Sequence, residues 1–199
     1  MTPAPEATEA GALFTTYHDR ICRYITGMVH DPAEAEDLTQ ETFLRAYRRR
    51  ESLRDPGAAR GWLYRIATHV CLDRLRQRSA SMPIDDSAIS ESPSALETAE
   101  RAETSTCVQR CLDFLPDHYR AVVLLYEAHG LTAAEISELL GVSLATVKIR
   151  LHRARRKLTE IMQIGCALSH RNTGEPCCEP SAEGQRFMEA NSSKSSRPV

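Results

Sequence analysis

Apolar residues recur every three or four positions along two stretches of the chain, and nowhere does a Val/Ile/Thr alternation persist as it would in strands. The first stretch covers residues 12–78. Within it, Leu63, Ile66, Ala67, Val70 and Cys71 form one inward stripe of a helix running from about Arg60 to Arg78. Upstream, Asp31-Pro32-Ala33-Glu34 offers an N-cap, a proline at the first helical position and a capping-box acid. The helix that follows sets Asp37, Glu41, Arg45 and Arg48 on a polar face. Phe43, Ala46 and Tyr47 are expected in the core behind it. Asp55-Pro56-Gly57 then breaks the chain. The second stretch covers residues 104–165. Its Ala121 to Tyr126 segment is apolar nearly all round and is expected to be buried, with Gly130 ending that helix.

Residues 131–158 carry the sharpest pattern. Thr132 and Glu135 make a capping box, and Ile136, Leu139 and Leu140 an apolar face. Gly141 permits a tight turn, Val142 plugs it, and Ser143 caps the next helix. In that helix Leu144, Val147, Leu151, Ala154 and Leu158 are spaced by three and four. This is a helix-turn-helix pattern. Its second helix presents Ile149, His152, Arg153 and Arg156 on the opposite face, flanked by Lys148 and Arg155. A major groove admits such a helix, whose Arg, Lys or His donors read base edges while the other cations bind phosphate. Ile149 is a large apolar residue on a wet face, which contact with a thymine methyl would explain.

The remaining segments complete an all-α plan: two small helical domains, 12–78 and 104–165, joined by a flexible acidic linker, 79–103. Residues 1–11 are expected to be mobile. Residues 166–199 read as a disordered Cys/Ser/Pro-rich tail. The longest apolar run is six residues, Ala121 to Tyr126, against the ~20 a membrane span needs, so no membrane insertion is expected. The opening Met-Thr-Pro-Ala-Pro-Glu lacks the basic and apolar regions of a secretory signal. Seven cysteines form no even framework, which points to a reducing cytoplasm. The net charge of −2 hides segregation: residues 60–78 hold five Arg against one Asp, residues 148–157 six Lys or Arg and no acid, and residues 85–103 six acids against one Arg. Two basic islands flanking an acidic stretch suit a nucleic-acid binder.

Two motif sets in this order resemble one family. Ala-Glu-Asp-Leu-Thr-Gln-Glu-Thr-Phe-Leu-Arg-Ala-Tyr (35–47), Gly-Trp-Leu-Tyr-Arg-Ile-Ala (61–67), Leu-Pro-Asp-His-Tyr-Arg-Ala-Val (115–122) and the helix-turn-helix are similar to the extracytoplasmic-function sigma factors of bacteria. The resemblance spans roughly residues 13–163. It implies a non-catalytic subunit that binds core RNA polymerase and promoter DNA, needs no cofactor, is a monomer when free, and in some cases is held by an anti-sigma factor. It implies that Asp37, Gln40 and Glu41 dock on core polymerase. It implies minus-ten contacts from the loop and helix carrying Leu53, Arg60, Arg65, His69, Arg74 and Arg76. Melting would then be held by taking a base out of the stack. It implies minus-thirty-five contacts from Ser143, Thr146, Lys148, Ile149, His152, Arg153 and Arg156. Two rival readings attach to the first set. Arg74, Arg76 and Arg78 complement the helix dipole at a C-terminus, and Trp62, beside an apolar stripe, reads as core rather than as a stacking residue, as Tyr64 could be. His69 stands where the family usually has Asn, so the inherited minus-ten preference does not transfer directly.

In the tail, Cys166, His170, Cys177 and Cys178 lie as Cys-x3-His-x6-Cys-Cys. Thiolate and imidazole suit zinc or Cu(I), and vicinal cysteines are also redox-active; incidental cysteines in a floppy tail are the alternative. Cys107 and Cys111, one helical turn apart, read as buried, as do Cys22 and Cys71. The rival to the sigma-factor reading is a stand-alone helix-turn-helix transcriptional regulator, which leaves the first helical half without a role. An enzyme is disfavoured because no H-E-x-x-H, Gly-rich phosphate loop or nucleophile elbow occurs.

Overall fold

The computed structural model describes residues 5–81, 109, 111–170, 176–180 and 186. Helix α1 runs Pro5–Val29 and buries Ile21, Tyr24, Ile25 and Met28, spaced by three and four. It begins inside the segment expected to be mobile. His30 ends it with φ 59°, and its N–H bonds the Thr26 carbonyl at 2.9 Å. The Asp31 carboxylate then accepts from the Glu34 N–H at 3.0 Å and starts α2, Pro32–Arg48.

The inward face of α2 differs from the expected one. Ala35, Thr39, Thr42 and Ala46 are buried, whereas Leu44 and Tyr47 are 52% exposed. The Thr39 and Thr42 hydroxyls donate to the Ala35 and Leu38 carbonyls, each at 2.7 Å. A threonine that satisfies its own hydroxyl inside its helix can be buried at little cost. Tyr47 instead lies under the Arg50 guanidinium, 4.9 Å from the ring centre, and Phe43 meets Phe14 of α1 edge-on at 4.9 Å.

Two 3-10 turns, Arg50–Ser52 and Pro56–Ala58, lead to α3, Ala59–Ser81. Leu63, Ile66, Ala67, Val70 and Cys71 are buried as the periodicity predicts, and so is Tyr64. Trp62 is only half-buried and donates from Nε1 to the Ser52 hydroxyl at 3.2 Å. Thr68 locks α3 to α1: its hydroxyl lies 2.7 Å from the Tyr64 carbonyl and 2.8 Å from the Tyr24 hydroxyl. A carbonyl can only accept, so Thr68 donates to it and Tyr24 donates to Thr68.

Helix α4, Asp117–Val123, passes into one π-helical turn, Leu124–Ala128, then Gly130 at φ 63°. Ala121 to Leu125 are buried, while Tyr126 is 37% exposed. Helix α5, Ala133–Leu140, and helix α6, Leu144–Gly165, follow, separated by Gly141 at φ 65°. The described residues of Asp117–Arg153 pack with those of Met1–Gln77 in one compact unit. Arg120, only 5% exposed, donates to the Met28 carbonyl in the last turn of α1 at 2.7 Å. Gly27 allows the close approach beside it, since a Cβ there would lie 3.1 Å from the Leu124 methyls.

The second unit comprises the described residues of Arg78–Pro116 and Ala154–Val199. Cys111, Leu112, Leu115, Ala154 and Ile161 are buried in it. After α6 come two antiparallel strands, β1 Cys166–His170 and β2 Pro176–Pro180, paired Cys166 to Pro180 through His170 to Pro176. Strands were not expected, and this ten-residue ribbon is the one addition among the described residues to a plan that is otherwise all-α as expected. Two five-residue strands, one of them bracketed by prolines, carry too little alternation to be seen in a sequence. The acidic linker beyond Ser81, Cys107 and the rest of the tail lie outside the described residues. Among the described residues no helix is long and apolar enough to cross a membrane.

Candidate nucleic-acid interface

The helix-turn-helix is built by local chemistry. The Thr132 hydroxyl accepts from the Glu135 N–H at 3.2 Å, and the Glu135 carboxylate accepts from the Thr132 N–H at 2.7 Å. The Thr132 N–H and hydroxyl, both 2.7 Å from the Glu135 carboxylate, hold that carboxyl below the usual carboxylate range. The Ser137 hydroxyl donates to the Val142 carbonyl at 2.6 Å and secures the turn. Ser143 caps α6 by accepting from the Thr146 N–H at 3.1 Å, and the two hydroxyls lie 2.8 Å apart. Val147, Leu151 and Ala154 face inward. Leu144, expected with them, is 41% exposed, because it is the first residue of the helix and projects past the packed turn. Lys148, Ile149, His152, Arg153 and Arg156 are all exposed, Ile149 at 51%. Arg156 also pairs with Glu160 at 2.8 Å.

On α3, Arg65 and His69 are exposed, and His69 Nδ1 lies 2.7 Å from the Arg65 carbonyl. Nδ1 therefore carries the proton, and Nε2 of the neutral ring is an acceptor. Arg74 is bonded at 2.7 Å to Glu34, a buried carboxylate that raises its pKa. Arg76 pairs with Asp73 at 3.0 Å. Leu53 is half-buried in the loop. On α2, Asp37 and Gln40 are exposed, and Glu41 is held by Arg45 Nε at 2.7 Å.

A third group forms within the same unit. Tyr24, Tyr64 and His129 make a ring cluster with centroids 5.2–5.5 Å apart. His129 Nδ1 lies 2.9 Å from the Tyr64 hydroxyl, and Arg60 Nη2 donates to the His129 carbonyl. Burial, then Arg23, Arg60 and Arg20, push the His129 imidazole down to about 4. Burial pushes the Tyr64 hydroxyl up.

Sequence comparison matches residues 13–81 to Sigma-70 region 2 and residues 105–158 to Sigma-70 region 4. The ECF RNA polymerase sigma factor SigM of Mycobacterium tuberculosis is 35% identical over 164 residues, covering 81% of this chain and 78% of that protein. The chain belongs to the ECF sigma factor family. The ECF sigma factor SigE of Mycolicibacterium smegmatis is 36% identical over 155 residues, covering 75% of this chain but only 60% of that protein. The fold also matches the sigma factor RpoE of Bartonella quintana, solved with the anti-sigma factor NepR, at TM-score 0.59 and 21% identity, over 76% of this chain and 94% of that one.

In this sigma factor the two matched regions differ in how their expected residues are placed. The region 4 set stands together on one exposed face of α6 and its cap. The region 2 set is divided: Arg65 and His69 are exposed, whereas Arg60, Arg74 and Arg76 are engaged by the His129 carbonyl, Glu34 and Asp73 respectively, Arg74 and Arg76 while still exposed. Sequence reasoning missed His129, Tyr24, Arg20 and Arg23; the one local signal was a histidine preceding the helix-ending Gly130. The four tail residues Cys166, His170, Cys177 and Cys178 have only their backbone described. Among the described residues no group of three or more His, Cys, Asp or Glu is arranged to hold a metal ion.

His129 gives the fold a pH dependence whose sign is fixed. Its folded pKa lies below its unfolded value of 6.5, so its contribution is complete above pH 6.5 and is lost as pH falls toward about 4. The ring is part-exposed, and solvent screening reduces the loss to about 1–2 kcal/mol. Urea midpoints at pH 7.5 and 5 should therefore differ more for the wild type than for His129→Gln. Equal differences would exclude His129 as the titrating group.

Proposed function

We propose that this chain binds core RNA polymerase in the bacterial cytoplasm and directs it to a specific set of promoters. The observation that carries this is the α6 face: Lys148, His152, Arg153 and Arg156 exposed on a helix whose other side is packed. Residues 104–165 read the minus-thirty-five element through that face, with Ile149 against a thymine methyl and Ser143 and Thr146 at the helix start. Residues 12–78 take the minus-ten element through Leu53, Arg65 and His69, with Arg60, Arg74 and Arg76 available once their present partners are released. Asp37, Gln40 and Glu41 dock on polymerase, and residues 79–103 span the two regions. An anti-sigma factor is a fitting further partner, since the related RpoE was solved with one.

The tail is proposed to couple activity to metal or redox state. The ribbon register pairs Cys178 with Leu168, two residues from both Cys166 and His170, and pairs Cys177 with Ser169. Alternate residues share a strand face, which favours Cys166, His170 and Cys178 over the vicinal pair as a set for zinc or Cu(I).

Run-off transcription with core polymerase on genomic promoter fragments, in reductant, tests the reading. A defined transcript should appear only when the chain is added. No transcript and no binding to core would leave a stand-alone helix-turn-helix regulator. Zinc or Cu(I) titrated into the same assay should change the transcript yield in the wild type but not in Cys166→Ser with Cys178→Ser. An identical response from both would remove the tail from control.

A further inference from the structure

The segment 49–58 between α2 and α3 shapes itself by short-range bonds. The Ser52 and Leu53 N–H groups reach the Arg49 and Arg50 carbonyls at 2.8 and 3.0 Å, and the Asp55 carboxylate accepts from the Gly57 N–H at 2.9 Å. These bonds form the two turns but do not tie the first of them to α3. Trp62 supplies that tie. Its Nε1 lies 3.2 Å from the Ser52 hydroxyl, whose own proton goes to the Arg49 carbonyl at 2.7 Å. An indole N–H can only donate and a carbonyl can only accept, so the direction is fixed: Trp62 to Ser52 to Arg49. The clasp closes one residue before Leu53, which is half-buried with extended backbone at φ −83° and ψ 90°. Water is available to the indole N–H at this half-exposed position, so satisfying that donor does not require Ser52. What the bond adds is a tether.

On α3, Trp62 shares a side with Arg65 and His69. Steps of three and four residues, at about 100° per residue, put the three within an arc of about 60°. Arg65 and His69 are exposed, and the His69 ring is itself turned by the bond from Nδ1 to the Arg65 carbonyl at 2.7 Å. The indole thus joins the loop that carries Leu53 to the side of the helix that carries Arg65 and His69. We propose that Trp62 is a positioning residue for minus-ten recognition, holding the Leu53 loop through Ser52 in a fixed place relative to Arg65 and His69. This deepens the promoter-binding reading above and rests on it. A loop held in place before the strand arrives rejects a base that does not fit; a loop ordered only on binding pays for that ordering and adapts to the wrong base as well as to the right one. An indole suits the task, because a rigid ring on two side-chain torsions loses little entropy when fixed.

Run-off transcription with the full-length chain and core polymerase is measured from one promoter, from versions with single changes in its minus-ten element, and from versions with single changes in its minus-thirty-five element. Trp62→Phe keeps a ring and loses the N–H. It should narrow the spread of yields across the minus-ten series about three- to tenfold, the worth of one hydrogen bond, and leave the spread across the minus-thirty-five series unchanged. Ser52→Ala should act alike, Ser52→Thr should keep the wild-type spread, and the double variant should lose no more than either single one. A wild-type minus-ten spread in either Trp62→Phe or Ser52→Ala would overturn the proposal. So would an equal loss in both series, which a merely weakened fold would give. Trp62 is the chain's single tryptophan, so the emission of the free protein reports the clasp without polymerase. Ser52→Ala should shift that emission to the red and raise its quenching by acrylamide; unchanged emission and quenching would show that no clasp holds in solution. A wild type that transcribes from no promoter would overturn the sigma-factor role, and the positioning role with it, while the red shift would leave the clasp itself standing.

Discussion

Alanine at both Lys148 and Arg153 is expected to abolish promoter-directed transcription while the chain still folds and still binds core polymerase. Both side chains are exposed on α6, and neither supports the packing, which rests on Val147, Leu151 and Ala154. A base-edge contact is worth about 1–3 kcal/mol, and a phosphate contact adds a salt-dependent share. Losing both removes about 2–6 kcal/mol, enough to take a promoter complex below detection at working concentrations. Anisotropy on a duplex carrying the upstream element should show the same loss without polymerase. A pull-down on core polymerase should show none. A normal transcript from the double variant would move promoter reading off this face.

Arg120→Ala is expected to be the most destabilising single change among the polar residues. Its guanidinium is buried, donates to the Met28 carbonyl at 2.7 Å and lies 3.8 Å from Asp117. The substitution strands a helix-terminal carbonyl and opens a cavity beside the close contact of Gly27 with Leu124. Hydrogen bonds from charged groups contribute about 1.5–3 kcal/mol, and the cavity adds to that, so a loss of about 2–4 kcal/mol in urea unfolding is expected. Arg120→Met keeps most of the volume but not the donor and should fall between the two. If Arg120→Ala unfolds with the wild type, the joining of α1 to α4 does not depend on this side chain.

The parts that were legible in the sequence are those settled over a few residues. Thr132, Glu135, Gly141 and Ser143 each act within five positions, and the caps form as their spacing implies. The apolar stripe of α3 was equally plain. What misled was a polar residue that satisfies itself: Thr39 and Thr42 look like surface positions, yet their intrahelical bonds let them replace Tyr47 in the core. What could not be seen was any group assembled across the chain. Tyr24 meets Thr68 across 44 positions, Tyr64 meets His129 across 65, and Arg120 reaches Met28 across 92. No local period encodes such pairings. They decide why Arg60 is engaged with a carbonyl, and why Arg20 and Arg23 carried no signal when read along α1.

The π-helical turn at Leu124–Ala128 has a consequence for how this chain can change over time. Such a turn holds one residue more than an α-turn would. Each residue advances a helix by about 100°. Deleting one position there would let the same stretch close as a regular α-turn, so the chain beyond it would keep its direction, whereas a deletion in the regular winding of α4 would turn everything downstream by that angle. The π-turn is therefore a place where a change in residue count can be absorbed without re-aiming the recognition helix.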